Sequence, residues 1–113
     1  MAKSNKPIFW SLFAAGGTLA AFLAPVLVLL FLMLALGHAP ALLSYGSLHA
    51  FAASIFGKLF LCGVITLFLW HAAHRLRVTL FDFGLRRDTL VAFVVYLTAA
   101  AGTGLTVLYL MRI

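Results

Sequence analysis

Three long apolar runs, separated by short clusters of polar and chain-breaking residues, organise this chain. The first extends from Phe9 to Leu36 and closes at Gly37, His38, Ala39 and Pro40, where breakers and polar groups meet. The second starts near Ser47 and runs to about Ala73 with Lys58 as its only charge, and the third runs from Thr89 to Met111 with none. From Pro7 to Gly57 there is no Lys, Arg, Asp or Glu, so a soluble fold could not present that stretch to water. A bilayer core about 30 Å thick is crossed by about 20 apolar residues in a helix, which satisfies its own backbone polar groups. The pattern predicts an all-α fold: one domain over residues 1–113, an integral membrane bundle of three transmembrane helices at about 9–36, 47–73 and 89–111.

Each run carries local signals. The first is longer than a span needs, which fits either tilt or a short interfacial helix at Phe9–Phe13, with Gly16 and Gly17 as a hinge and Pro25 as a kink. Asp88 is placed to cap the third helix, where a carboxylate meets unpaired N–H groups and the positive end of the helix dipole. Ala99, Ala100, Ala101, Gly102, Thr103 and Gly104 remove bulk from the third span and let another backbone approach. With three helices available, part of that packing is expected against another chain.

Composition sharpens this picture. The sequence is 65% hydrophobic and 9% charged, far from the soluble range. Its one cysteine, Cys62, excludes an intramolecular disulfide, a CxxC metal site and a cysteine set for an iron–sulfur cluster. The net charge of +6 does not point to nucleic acid, because the basic residues sit at segment ends and not along a stripe with interleaved aromatics. Lys3, Lys6, Arg75, Arg77, Arg86 and Arg87 fall on one side of the spans and Arg112 on the other, so the positive-inside rule predicts a cytoplasmic N-terminus and a periplasmic C-terminus. The segment Arg75–Asp88 is then expected to be the main cytoplasmic loop. The apolar run after Lys6 is too long for a signal peptide, and Pro25 follows the candidate cleavage position at Ala24, so the first segment is expected to stay as an anchor.

Few side chains offer chemistry. Lys58 lies roughly 24 Å along the helix from His74, near the outer edge of the hydrocarbon, where it either snorkels or serves as a polar partner for a neighbouring subunit or ligand. Trp10 marks the cytoplasmic interface as an aromatic-belt residue, and its indole N–H is also a donor at headgroup depth. At the other end of the second span, Trp70, His71, His74, Arg75 and Arg77 cluster at helical spacing. Arginines there satisfy the topology rule by themselves, and an interfacial histidine is often a polar end cap. Donors and a titratable imidazole at the depth of Trp10 also suit a quinone headgroup, whose oxygens accept hydrogen bonds and whose quinol form releases protons. A histidine at that depth could equally serve as a haem axial ligand.

The order of residues resembles the D subunits of quinol:fumarate reductase, small hydrophobic anchors of a four-subunit bacterial complex. The stretches that carry the likeness are Pro7-Ile8-Phe9-Trp10 with Leu12-Phe13, Ala15-Gly16-Gly17, Ala24-Pro25-Val26, Leu43-Ser44-Tyr45, Ala50-Phe51, Leu69-Trp70 and His74-Arg75. The resemblance implies a non-catalytic inner-membrane anchor working with the C subunit of fumarate reductase, an iron–sulfur subunit and a flavoprotein subunit, the last two holding the clusters and the flavin. It also implies that Trp10, His74 and Arg75 contribute to a menaquinone/menaquinol site, without haem. Arg77 and Val78 stand where the family pattern would carry a pair of histidines, and Phe81 where another would precede Asp82. Rival readings are a haem-bearing succinate dehydrogenase anchor, kept open by His71, and a small structural membrane protein without ligand. A transporter is disfavoured, since no acidic residue lies in any span.

Overall fold

The computed structural model describes residues 6–113. Helix α1 covers Lys6–Ala35, a short 3-10 turn at Ala41–Leu43 leads into α2 (Tyr45–Ala53), and α3 (Ile55–Asp82) and α4 (Asp88–Arg112) follow, with no strand among the described residues. Helices α1, α3 and α4 are each long and apolar enough to cross a membrane. This is the all-α, three-span architecture expected from the hydrophobic pattern. Lys3, which contributes to the expected orientation, lies outside the described residues.

The boundaries differ from the expected ones in instructive ways. The apolar run over 47–73, expected as one span, is divided at Ser54, whose extended backbone (φ −71°, ψ 153°) ends α2 and begins α3. Its hydroxyl donates to the Phe51 carbonyl at 2.7 Å and accepts the Gly57 N–H at 3.0 Å, so one short polar side chain serves both helix ends. A Cβ on Gly57 would collide with the Phe51 carbonyl oxygen, so a break this tight requires glycine. At its far end α3 runs on through Arg75 and Arg77 to Asp82, so the loop expected from Arg75 is helix followed by a short connection. Charge ends a membrane span without ending a helix, because leucine and arginine are good helix formers. The helix stops where Gly84 adopts a positive φ of 95° and the Leu85 N–H reaches back to the Leu80 carbonyl at 3.0 Å, a Schellman closure.

Gly16 and Gly17 do not form a hinge, since α1 is continuous across them and across Pro25. They form a notch. A Cβ at Gly16 would lie 2.5 Å from the Leu67 carbonyl oxygen and 2.7 Å from His71 Cβ, so α3 backbone fills the space a side chain would take. Nor does Asp88 cap α4: the N-cap position is Arg87, without a side-chain cap bond, and the Asp88 carboxylate is taken by Arg77 across the turn.

The buried core is thin and lies between α3 and α4. It consists of Ala73 with Val91, Val95 and Ala99, the last three spaced by four residues on one face of α4. Gly102 continues that face, with Leu69 filling the place of its missing side chain. Large apolar residues elsewhere stay uncovered, including Phe22 at 74% and Phe56 at 81% exposure. An uncovered apolar surface of that extent suits lipid or further protein and not water.

Candidate functional site

At the end of the bundle that carries Arg75, Arg77, Arg86 and Arg87, α1, α3 and α4 converge around a cleft of about 530 Å³ lined by Lys6, Pro7, Phe9, Trp10, His74, Arg77 and Tyr96. Helix α1 supplies an apolar and aromatic wall from its first turns, α3 supplies the imidazole and the guanidinium one turn apart, and α4 supplies a phenol. Helical side chains lean towards the N-terminus of their own helix, so Tyr96, two turns into α4, reaches back towards the Asp88 end.

A layer of rings fixes these groups. Tyr96 stacks on Trp70 with centroids 5.8 Å apart and meets Phe9 of α1 at 5.9 Å. Its hydroxyl lies 3.0 Å from His74 Nδ1. The Arg77 guanidinium sits 5.9 Å from the centre of the Tyr96 ring and forms a two-pronged bond with Asp88, Nε to Oδ1 at 2.8 Å and a terminal nitrogen to Oδ2 at 2.5 Å. Asp88 thus uses two of the five guanidinium N–H groups, and others remain to meet a further acceptor. On the neighbouring turn, His71 Nδ1 donates to the Phe13 carbonyl at 2.9 Å, and its ring stacks on Phe13 at 4.5 Å. Phe13 also touches His74, at 4.6 Å. His71 is therefore an α1–α3 packing residue, held beside the Gly16–Gly17 notch.

Of the residues expected at the site, Trp10 and His74 come together across α1 and α3 and line the same cleft. Arg75 does not join them: it is exposed, one residue and so about 100° round the helix from His74. The arginine that lines the cleft is Arg77, which the sequence places in the polar cluster without singling it out. Tyr96 escapes sequence reasoning. Its signal is faint, a tyrosine two turns inside an otherwise apolar span where a hydroxyl needs a partner. Lys58 lies at the start of α3, at the opposite end of that helix from the cleft.

The cleft has the size of a small-molecule site, with aromatic walls and a few convergent polar groups. Arg77, His74 and Lys6 offer nitrogen donors and no carboxylate stands among the described lining residues, so the chemistry suits a flat ring whose oxygens accept hydrogen bonds. The sequence model of the fumarate reductase D-subunit family matches residues 1–111. The chain belongs to that family. It is 35% identical over 113 residues to the fumarate reductase D subunit of Aliivibrio salmonicida, covering 98% of this chain and 94% of the relative. Identity with the corresponding protein of Vibrio parahaemolyticus is 37% over 113 residues, covering 98% and 90% respectively. The Vibrio cholerae protein of the same name is 45% identical over 82 residues, covering 71% of this chain and 63% of the relative. As a member of this family with three candidate membrane spans, the chain is a membrane anchor of the fumarate reductase complex, assembled with that complex's other subunits.

Proposed function

We propose that this protein anchors the flavoprotein and iron–sulfur subunits to the inner membrane, pairs with the C subunit of the complex, and helps to bind and oxidise menaquinol in the cleft at its basic end. The observation that carries the reading is the convergence of Trp10, His74, Arg77 and Tyr96 from three separate helices on one aromatic-walled cavity. The basic residues at that end support a cytoplasmic location by the positive-inside rule, so the N-terminus is cytoplasmic and the C-terminus periplasmic. The cleft then faces the side on which flavin and iron–sulfur clusters reside in the partner subunits.

Menaquinol supplies two electrons and two protons when oxidised. In this chain Trp10 and Phe9 wall the ring, and Arg77 donates to a ring oxygen and stabilises negative charge developing there. His74 accepts a proton at Nε2, because Nδ1 is engaged by Tyr96. Arg75 is exposed beside His74 and outside the cleft lining, so its proposed contact with the ring requires a companion chain to extend the cleft round α3. As the family resemblance implies, no haem takes part; His71 takes part in α1–α3 packing.

The test compares two assays on assembled complexes carrying His74→Ala, Arg75→Leu, or Arg77→Gln combined with Asp88→Asn, the pair being changed together so that no charge is left alone. Losing a hydrogen bond to a charged group costs about 1.5 to 3 kcal/mol, or roughly a tenfold to hundredfold loss of quinol-driven turnover. Fumarate reduction driven by a soluble artificial donor bypasses the quinol, so the ratio of quinol-driven to donor-driven activity should fall by that factor. A parallel fall of both activities, or no fall in either, removes the site assignment.

A further inference from the structure

His74 Nδ1 meets the Tyr96 hydroxyl, a neutral group that comes from a different helix. A phenol hydroxyl both donates and accepts, whereas a carbonyl or a carboxylate can only accept. This difference matters for an imidazole that must act on two forms of one molecule. Towards a quinol hydroxyl, Nε2 must be bare, so Nδ1 carries the hydrogen and gives it to the Tyr96 oxygen. Towards a quinone carbonyl, Nε2 must carry the hydrogen, so Nδ1 is bare and accepts from the Tyr96 O–H. His71 provides the contrast within the same helix: its Nδ1 faces the Phe13 carbonyl, which holds the hydrogen on Nδ1 and fixes a single tautomer.

We infer that Tyr96 is a positioning residue for the quinol reaction, holding the His74 ring by Nδ1 and allowing it to exchange tautomers as the bound ring changes between quinol and quinone. The inference rests on the quinol reading of the cleft. In the proton step one quinol O–H bond breaks and an N–H bond forms at His74 Nε2, the second quinol proton leaves its own oxygen to water, and the two electrons pass to the iron–sulfur subunit. The Nδ1–H of the resulting cation donates to the Tyr96 oxygen, which keeps the ring from turning. The stacking of Tyr96 on Trp70 and its contact with Phe9 fix where that oxygen stands, and neither contact needs the hydroxyl.

Tyr96→Phe therefore removes the hydrogen bond and keeps the ring packing. In the assembled complex the ratio of quinol-driven to artificial-donor-driven fumarate reduction should fall about fivefold, the equivalent of one ordinary hydrogen bond. Binding of a fluorescent hydroxyquinoline N-oxide, a quinol analogue, should weaken by a similar factor at equilibrium. The double variant His74→Ala/Tyr96→Phe should fall no further than His74→Ala alone, because the phenol acts through the imidazole. A Tyr96→Phe complex with unchanged ratio and unchanged analogue binding overturns the inference, as does additivity in the double variant, which would assign the phenol's effect to Arg77, the other group its hydroxyl faces, and not to His74. His74→Ala separates the two levels: if it leaves quinol turnover intact, the quinol reading itself fails, and if it lowers turnover while Tyr96→Phe does not, only the positioning role fails.

Discussion

Replacing Gly16 by alanine should loosen the attachment of α1 to the rest of the protein, and the structure sets the scale. The added methyl carbon would sit 2.5 Å from the Leu67 carbonyl oxygen and 2.7 Å from His71 Cβ. Carbon contacts of this kind settle at about 3.5 Å, so α1 must retreat by about 1 Å or tilt around the obstacle. Both obstacles belong to α3 itself, one a backbone atom and one a Cβ, so no rotamer change relieves them. Overpacking of this kind costs about 1 to 3 kcal/mol. A retreat of that size also stretches the 2.9 Å bond from His71 Nδ1 to the Phe13 carbonyl beyond hydrogen-bonding range, which adds about 1 kcal/mol. Gly17→Ala is the control, because its Cβ would meet only the edge of the His71 ring, at 3.0 Å from Cε1. The assay is the half-life of quinol-driven activity in detergent at raised temperature, alongside the amount of this protein retained by the complex. Gly16→Ala should shorten the half-life markedly, with Gly17→Ala in between. A Gly16→Ala complex as durable as the unsubstituted one would show that the α1–α3 contact bears little load, and the reasoning would fall.

Other expectations follow from the same geometry. With the basic end cytoplasmic, as proposed, an alkaline phosphatase fused after Asp82 should be inactive and one fused within residues 37–46 active; the reverse pattern would sink the orientation. Expressed without its C-type companion, the chain should be degraded or aggregate, because its buried core is confined to a few small residues between α3 and α4; a stable, monodisperse species in mild detergent would contradict this. A reduced-minus-oxidised spectrum of the purified complex should lack a b-type haem band, as the resemblance to the D subunits implies. A band that disappears in His71→Ala would reverse that conclusion.

The three spans are legible because the absence of charge from Pro7 to Gly57 and from Thr89 to Met111 leaves the chain no aqueous alternative. What the sequence hides is set by contacts between elements. Ser54 looks like one polar residue in an apolar run, yet its spacing from Gly57 is a capping pattern, and hydropathy is blind to a break that keeps the chain apolar. Arg75 and Arg77 sit in helix and not in loop, because charge marks where a span leaves the hydrocarbon and says nothing of where the helix stops. The local rule that puts Asp88 at its own helix N-terminus loses to a two-pronged partner across the turn. At the cleft, depth alone is enough to bring Trp10 and His74 together. Depth does not say which way a side chain points round its helix, and so it can neither rank Arg77 above Arg75 nor find Tyr96.

The notch at Gly16 and Gly17 has a consequence for how the protein is made. Phe13 and His71, whose bond closes that notch, are 58 residues apart. At a synthesis rate of about 5 to 20 residues per second, roughly 3 to 12 s separate the emergence of α1 from that of its own docking surface. Helices α3 and α4, joined by a short turn and clasped by Arg77 and Asp88, emerge in quick succession and can pair as a hairpin. The first helix to enter the bilayer is thus the last to find its place. For those seconds its bare glycine face is open to any neighbouring helix, and timely delivery of the rest of the chain decides which neighbour it keeps.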